Sequence, residues 1–233
     1  MDLQAASDDT GLTPLQRKMR KLGLSGADDF VLHLPIRYED ETRLTPIGRL
    51  LPGMWAQVEG VVTRCEVTYR PRRQLVAAIQ DDTGELGLRF LNFYPSQQKQ
   101  LAAGRRVRAR GEARGGFFGM EMVHPRVTVA DEHTPLPDRL TPVYPTTEGL
   151  PQSALRKAIA NALEQADLSD TLPAWLRERY GLMAFEEAVR LLHAPPPDVA
   201  TQSLVDRAHP AWLRIKFDEL LAQQLSLARA RAA

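Results

Sequence analysis

"GRRVRARGEARGGFFGMEMVHPRV", Gly104–Val127, decides the fold. Arg106, Arg108, Arg110 and Arg114 stand at even positions, with Val107, Ala109, Gly111 and Ala113 between them. Strict alternation of polar and small apolar residues has a period of two and predicts a strand with one buried face. The other face is a row of guanidinium groups broken only by Glu112. Like charges along a strand repel, so such a row is either a solvated face or one that meets an anion. Gly115 and Gly116 then read as a turn, and "FFGMEMVHPRVTVA" as the next strand.

Upstream the same period holds from Trp55. "WAQVEGVVTRCEVTY" predicts a long strand with Val58, Gly60 and Val62 on one side and Gly60 as the place for a bend. "RPRR" is a basic turn, "QLVAAIQ" a second strand, "DDTG" (81–84) a tight hairpin turn and "ELGLRFLNF" a third strand. "YPSQQKQLAAG" reads as a short helix closed by Gly104. Three strands, a helix and two strands is the element order of an OB-fold. The chain is therefore expected to be α+β: a five-stranded Greek-key OB-fold barrel flanked by N-terminal and C-terminal α-helices. Val58, Val107 and Ala109 should point inward, and Arg106, Arg108 and Arg110 outward.

Outside the barrel the period is helical. Leu15, Met19 and Leu22 share a face, Gly23 is a C-cap candidate, and "SGADDFVLHLP" gives a second short helix capped by Ser25. Leu155, Ile159 and Leu163 form a stripe, "LPAWLRERYGL" and "AFEEAVRLLH" two more helices, and "APPPD" a stiff break. The last helix carries Leu213, Phe217, Leu220, Leu221, Gln224 and Leu225 on one face. It ends without a glycine or polar stop and reads as a helix cut mid-course. The expected divisions are 1–11, a disordered N-terminus; 12–52, helices and an extended connection; 53–130, the barrel; 131–150, an extended linker; and 151–233, a helical segment.

The 233 residues carry a net charge of +1, so the whole chain gives no basic signal. Between Arg64 and Arg126, however, twelve basic residues face six acidic ones, a local net of +6. A basic middle in a neutral chain suggests a local anionic partner. Cys65 is the only cysteine, so no internal disulfide forms, which fits a cytosolic protein. The acidic start "MDLQAASDDTG" is no signal peptide, and no apolar run is long enough to span a membrane. No GxxxxGK[ST] loop occurs, and the histidines at 33, 124, 133, 193 and 209 lack metal spacing. "DDTG" fits a hairpin turn better than a metal site, and "FEE" (185–187) fits a solvated helix face better than acid/base work. No catalytic residue, cofactor site or metal site is expected in these residues.

What remains is arginine beside aromatic rings, the chemistry of phosphate binding and base stacking. The candidate phosphate contacts are Arg70, Arg72, Arg73, Arg105, Arg106, Arg108, Arg110 and Arg114. The candidate rings are Phe90, Phe93, Tyr94, Phe117 and Phe118, about half of which must fill the barrel. Tyr94, just before Pro95, is the one expected to be exposed; Trp55, Trp175 and Trp212 are read as packing residues.

The blocks "FVLHLPIRYEDETRLTPIGRLLPG", "FLNFYPSQQKQLAAGRRVRARGEARGGFFGMEMVHPR", "LTPVYPTTEGL" and "LLHAPPP" resemble the N-terminal part of the RecG family of bacterial ATP-dependent DNA helicases. The likeness runs from about Leu12 to "KFDELLAQQLSL". It implies a wedge domain, an OB-fold that splits DNA at forks and Holliday junctions during fork reversal, branch migration, recombination and repair. Two motor domains that follow it in such proteins would supply ATP hydrolysis, with ATP and Mg²⁺ held there and not in these residues. The last helix would then be the linker to those motors. The implied partners are branched DNA, single-stranded DNA and, for the parent enzyme, single-strand-binding protein; the implied state is a monomer. Relatives commonly place an aromatic before the Asn of the third strand, where this chain has Leu91 before Asn92. The wedge residue is thus Leu91, Phe93 or Tyr94. "TGLTPLQRKMRKLGL" keeps part of the helix-hairpin-helix pattern of this region. The alternative reading is a self-contained OB protein that binds single-stranded nucleic acid; a third is a module whose basic strand docks an acidic protein tail.

Overall fold

The computed structural model describes residues 11–69, 72–116, 119–131 and 133–232. In chain order its elements are α1 (Pro14–Lys21), α2 (Ala27–Val31), β1 (Arg37–Glu39), β2 (Trp55–Thr68), β3 (Gln74–Asp81), β4 (Gly84–Phe90), α3 (Pro95–Gln100), β5 (Arg106–Gly116), β6 (Gly119–Val123), β7 (Arg126–Val129), β8 (Thr141–Val143), α4 (Gln152–Gln165), α5 (Ala174–Tyr180), α6 (Phe185–His193), α7 (Thr201–Val205) and α8 (Pro210–Ala232). They form two compact units, 41–137 and 11–40 with 138–232. The expected disordered stretch 1–11 lies outside the described residues except for Gly11.

Unit 41–137 is the barrel. Its strands pair in the order β2-β3-β4-β6-β5, and β5 pairs back with β2, so five strands close on themselves. β4 and β6 run parallel and the other neighbours antiparallel. This is the OB-fold. The alternation fixes what lies inside: Val58, Val107, Ala109, Leu75, Leu86 and Met122 are fully buried. Arg106, Arg108 and Arg110 lie on the other face of β5, as the parity requires.

The irregularity in β2 is a bulge, and the expectation at Gly60 needs correction. The register slips between Val62 and Arg64, leaving Thr63 as a bulge that moves the inward side from Val62 to Cys65 and Val67. Gly60 serves close approach instead, since a Cβ there would sit 2.8 Å from the Gln80 carbonyl oxygen. The fifth predicted strand is also two. His124 takes a left-handed backbone, φ 52°, and Pro125 offers no N–H, so β6 ends and β7 pairs separately with β5. "DDTG" is a structural turn. Burial alone would raise the Asp81 carboxyl, but bonds from the Ile47 N–H, the Thr83 hydroxyl and the Thr83 and Gly84 N–H groups hold it below its ordinary value.

The second unit is helical around a two-stranded ribbon, β1 with β8. The expected linker 131–150 is therefore not one extended piece: 131–137 belongs to the barrel unit, and Thr141–Val143 is paired. Thr13 caps α1 with Gln16, whereas Gly26, not Ser25, caps α2, and Asp29 accepts from the N–H groups of both Ser25 and Gly26. Leu155 and Ile159 are buried as predicted.

The face predicted for α8 is only partly right: Phe217 and Leu221 are half-buried. Leu213, Leu220 and Leu225 are exposed, while Ala211, Trp212 and Arg214 are buried. Arg214 is fully enclosed because Asp170 takes it bidentately at 2.7 and 2.9 Å, Asp218 accepts at 2.8 Å and the Met183 carbonyl at 2.8 Å. Of the three tryptophans only Trp212 packs; Trp55 and Trp175 are exposed, contrary to expectation.

Candidate nucleic-acid interface

β4 leaves the barrel at Phe90, whose ring is core and therefore unavailable for stacking. The chain bends at Leu91 and Asn92 and enters α3 after Tyr94. The Tyr94 N–H donates to Gln97 Oε1 at 2.9 Å, and Pro95 opens the helix, so this corner is capped on its own residues. The Tyr94 side chain projects from it, 76% exposed. Phe93 is half-buried, packed on the barrel core, and the Arg73 guanidinium lies 4.4 Å from its ring centre. Arg73, just ahead of β3, and the corner after β4 thus meet through a cation–π contact. Arg72 and Arg73 are exposed here, as is Tyr69.

Leu91 is half-buried, and its N–H donates to His124 Nε2 at 3.3 Å. Two features of this end escaped the sequence reading: the His124 contact and the pairing of Arg73 with Phe93. Arg70, Phe117 and Phe118, all predicted contacts, lie outside the described residues.

The arginine row of β5 has a different character. Cross-strand register sets Glu59 of β2 opposite Arg108 and beside Arg106. Glu59 Oε2 accepts from Arg108 Nε at 2.7 Å and Glu59 Oε1 from Arg106 Nη1 at 3.3 Å. Arg108 also donates to the carbonyls of Thr134 and Pro135, and its side chain is only 12% exposed. It latches the segment after β7 to the barrel, which corrects its reading as a phosphate contact. Glu41 pairs with Arg126 at 3.2 Å, and Glu112 with Arg114 at 2.7 Å. Arg110 lies in register with Gln57 and Arg126, in a cavity of about 190 Å³ also lined by Glu41 and Arg108. The row therefore persists because carboxylates and carbonyls of the same unit neutralise much of it. Arg105, just ahead of β5, is exposed.

Among the described residues no three or more His, Cys, Asp or Glu gather as metal ligands, and no helix is long and apolar enough to cross a membrane.

A closed OB barrel with arginine and aromatic side chains gathered at one end belongs to a class many of whose members bind oligonucleotides. Within that class the comparisons are specific. The profile of the RecG wedge domain matches residues 13–166, and the chain belongs to that family. It is 45% identical over 238 residues to the ATP-dependent DNA helicase RecG of Escherichia coli (strain K12), covering 100% of this chain and 34% of the relative. Its identity to the RecG of Pasteurella multocida (strain Pm70) is 40% over 219 residues, 92% of this chain and 31% of that one. The chain thus spans about a third of the length of the curated relatives it matches. A solved structure of RecG bound to a three-way DNA junction matches 95% of this chain and 30% of its own with a TM-score of 0.68. At 24% identity that likeness concerns the fold.

Proposed function

We propose that this chain is the branched-DNA wedge of a RecG-like ATP-dependent helicase. The observation that carries the reading is the barrel end where Arg73 covers Phe93 and Tyr94 stands exposed beside them. In this reading Tyr94 is the ring that stacks on the base pair at the branch, where strands part and a base face becomes available. Phe93 is held between the barrel core and the Arg73 guanidinium. Leu91 contributes an apolar shoulder. Arg72, Arg73 and Arg105 meet phosphates of the parting strands, where their charge displaces counterions. ATP and Mg²⁺ act in the motor portion of such an enzyme, and the setting is the cytosol.

The test is binding of the chain to forked, duplex and single-stranded oligonucleotides of equal length, with Tyr94→Ala beside the wild type. Preference for the fork that Tyr94→Ala reduces supports the wedge. Equal affinity for fork and single strand favours the self-contained single-strand binder instead. ATP hydrolysis above a contaminant control, stimulated by DNA, contradicts the assignment of catalysis to the motor portion.

A further inference from the structure

The wedge corner needs something to fix its path, because β4 has already ended where it begins. Leu91 carries the first main-chain donor beyond the strand. In the parallel pairing of β4 with β6 the last partners are Arg89 and Val123. The next residue on the β6 side, His124, continues the ladder by one bond, its N–H donating to the Arg89 carbonyl at 2.8 Å. Another main-chain rung would serve Leu91, but Pro125 follows and the chain turns away. The His124 side chain takes that place.

Its left-handed backbone, φ 52°, accompanies an imidazole placed back along β4, where Nε2 accepts the Leu91 N–H at 3.3 Å. The ring also stands edge-on to Phe90, centroids 6.2 Å apart at 89°. Arg89 and Glu121, paired at 2.6 Å, brace the two strands one step further in. A non-glycine residue with positive φ is uncommon, and histidine is among the residues enriched there. Strain of this kind persists where the surroundings over-determine it. Here two hydrogen bonds and a ring contact do so, all directed at residues 89–91.

We infer that His124 is a positioning residue for the wedge: its neutral, Nδ1-protonated imidazole replaces a main-chain rung and sets the direction in which Leu91–Tyr94 leave the barrel. This rests on the reading of that corner as the wedge. The assignment of tautomer follows from chemistry, since Nε2 accepts a proton only when it carries none.

Two readouts on the 233-residue chain test it. The first is the imidazole ¹⁵N spectrum at pH 7.5 together with amide exchange at Leu91. The expected result is the Nδ1–H tautomer and a protected Leu91 amide; an Nε2–H tautomer overturns the proposal. The second uses His124→Asn, because asparagine tolerates the left-handed backbone and so spares the turn. The variant should melt within a few degrees of wild type. It should lose Leu91 protection and lose fork-over-duplex preference by about fivefold, a size set by the stacking of one base. His124→Gly, which frees the backbone and carries no acceptor at all, should behave alike, since the asparagine Oδ1 reaches only as far as the imidazole Nδ1 and falls short of the Leu91 N–H. If both variants fold and keep full fork preference while Tyr94→Ala loses it, His124 does not position the wedge. If Tyr94→Ala also keeps full preference, the wedge reading itself fails, and the tautomer and Leu91 exchange still decide whether His124 holds the corner.

Discussion

Arg108 and Arg73 carry the same side chain on the same barrel, and their surroundings give them opposite work. Arg108 is enclosed: Glu59 takes one edge of its guanidinium and two main-chain carbonyls take the rest. Arg73 is exposed, and its contact is the face of Phe93, which leaves its N–H groups directed elsewhere. An arginine in the first setting holds the fold, because removing it leaves a largely covered carboxylate without its closest partner and releases the segment whose carbonyls it held. In the second it adds little to folding and leaves its charge open to solvent. Counting arginines on a strand cannot separate the two cases; the carboxylates opposite them can.

The largest expected difference is in stability. Arg108→Ala should cost about 3 kcal/mol, since Glu59, 16% exposed, keeps only the longer bond from Arg106. Urea unfolding measures this, and a loss below about 1 kcal/mol would break the distinction between the two arginines.

Acid should act next most strongly, through a group in neither region. Burial pushes the His193 imidazole down to about 4, against 6.5 when free. Its Nδ1 accepts from the Tyr144 hydroxyl and its Nε2 donates to the Val31 carbonyl, at 2.9 and 2.8 Å. The folded state resists a proton that the unfolded state takes, so this contribution is intact above pH 6.5 and lost as pH falls toward 4. Linkage gives about 2 kcal/mol lost by pH 5. His193→Gln should flatten the stability profile between pH 6.5 and 4, and DNA comparisons of the two arginines belong above that window.

Smaller effects should appear in binding. Arg73→Ala should leave stability within about 1 kcal/mol, the size of an exposed cation–π contact. It should weaken DNA binding and flatten the salt dependence by about one unit of slope. Arg105→Ala should do the same to the slope and change stability by no more than about 0.5 kcal/mol. Salt series on folded variants check both.

Much of the barrel was legible because period-two alternation is a local property. Val58, Val107 and Ala109 face inward as the sequence indicates, and the order of strands and helix identifies the OB-fold. What was not legible depends on register. Glu59 and Arg108 are 49 residues apart, and nothing in either segment marks the other as its partner. The face of α8 was partly misread for the same reason: an inward Arg214 becomes reasonable only once Asp170, 44 residues earlier, is seen to meet it. His124 gave a faint sign, a histidine before proline inside a strand pattern, but its bond to Leu91 depends on the parallel pairing of β4 with β6. At the candidate site, the exposure of Tyr94 followed from Pro95 and the end of the strand pattern, whereas the Arg73–Phe93 contact required the barrel to close.

The most direct measurement is the fork-to-duplex affinity ratio of Tyr94→Ala and of Arg108→Ala, across a salt series and above pH 6.5, with folding checked for each. The account predicts a roughly five- to tenfold lower ratio for Tyr94→Ala with a nearly unchanged salt slope. For Arg108→Ala it predicts an unchanged ratio and slope in whatever fraction remains folded. A preserved ratio in folded Tyr94→Ala, or a folded Arg108→Ala that loses fork preference, would place the branch contact on the arginine face and contradict the account.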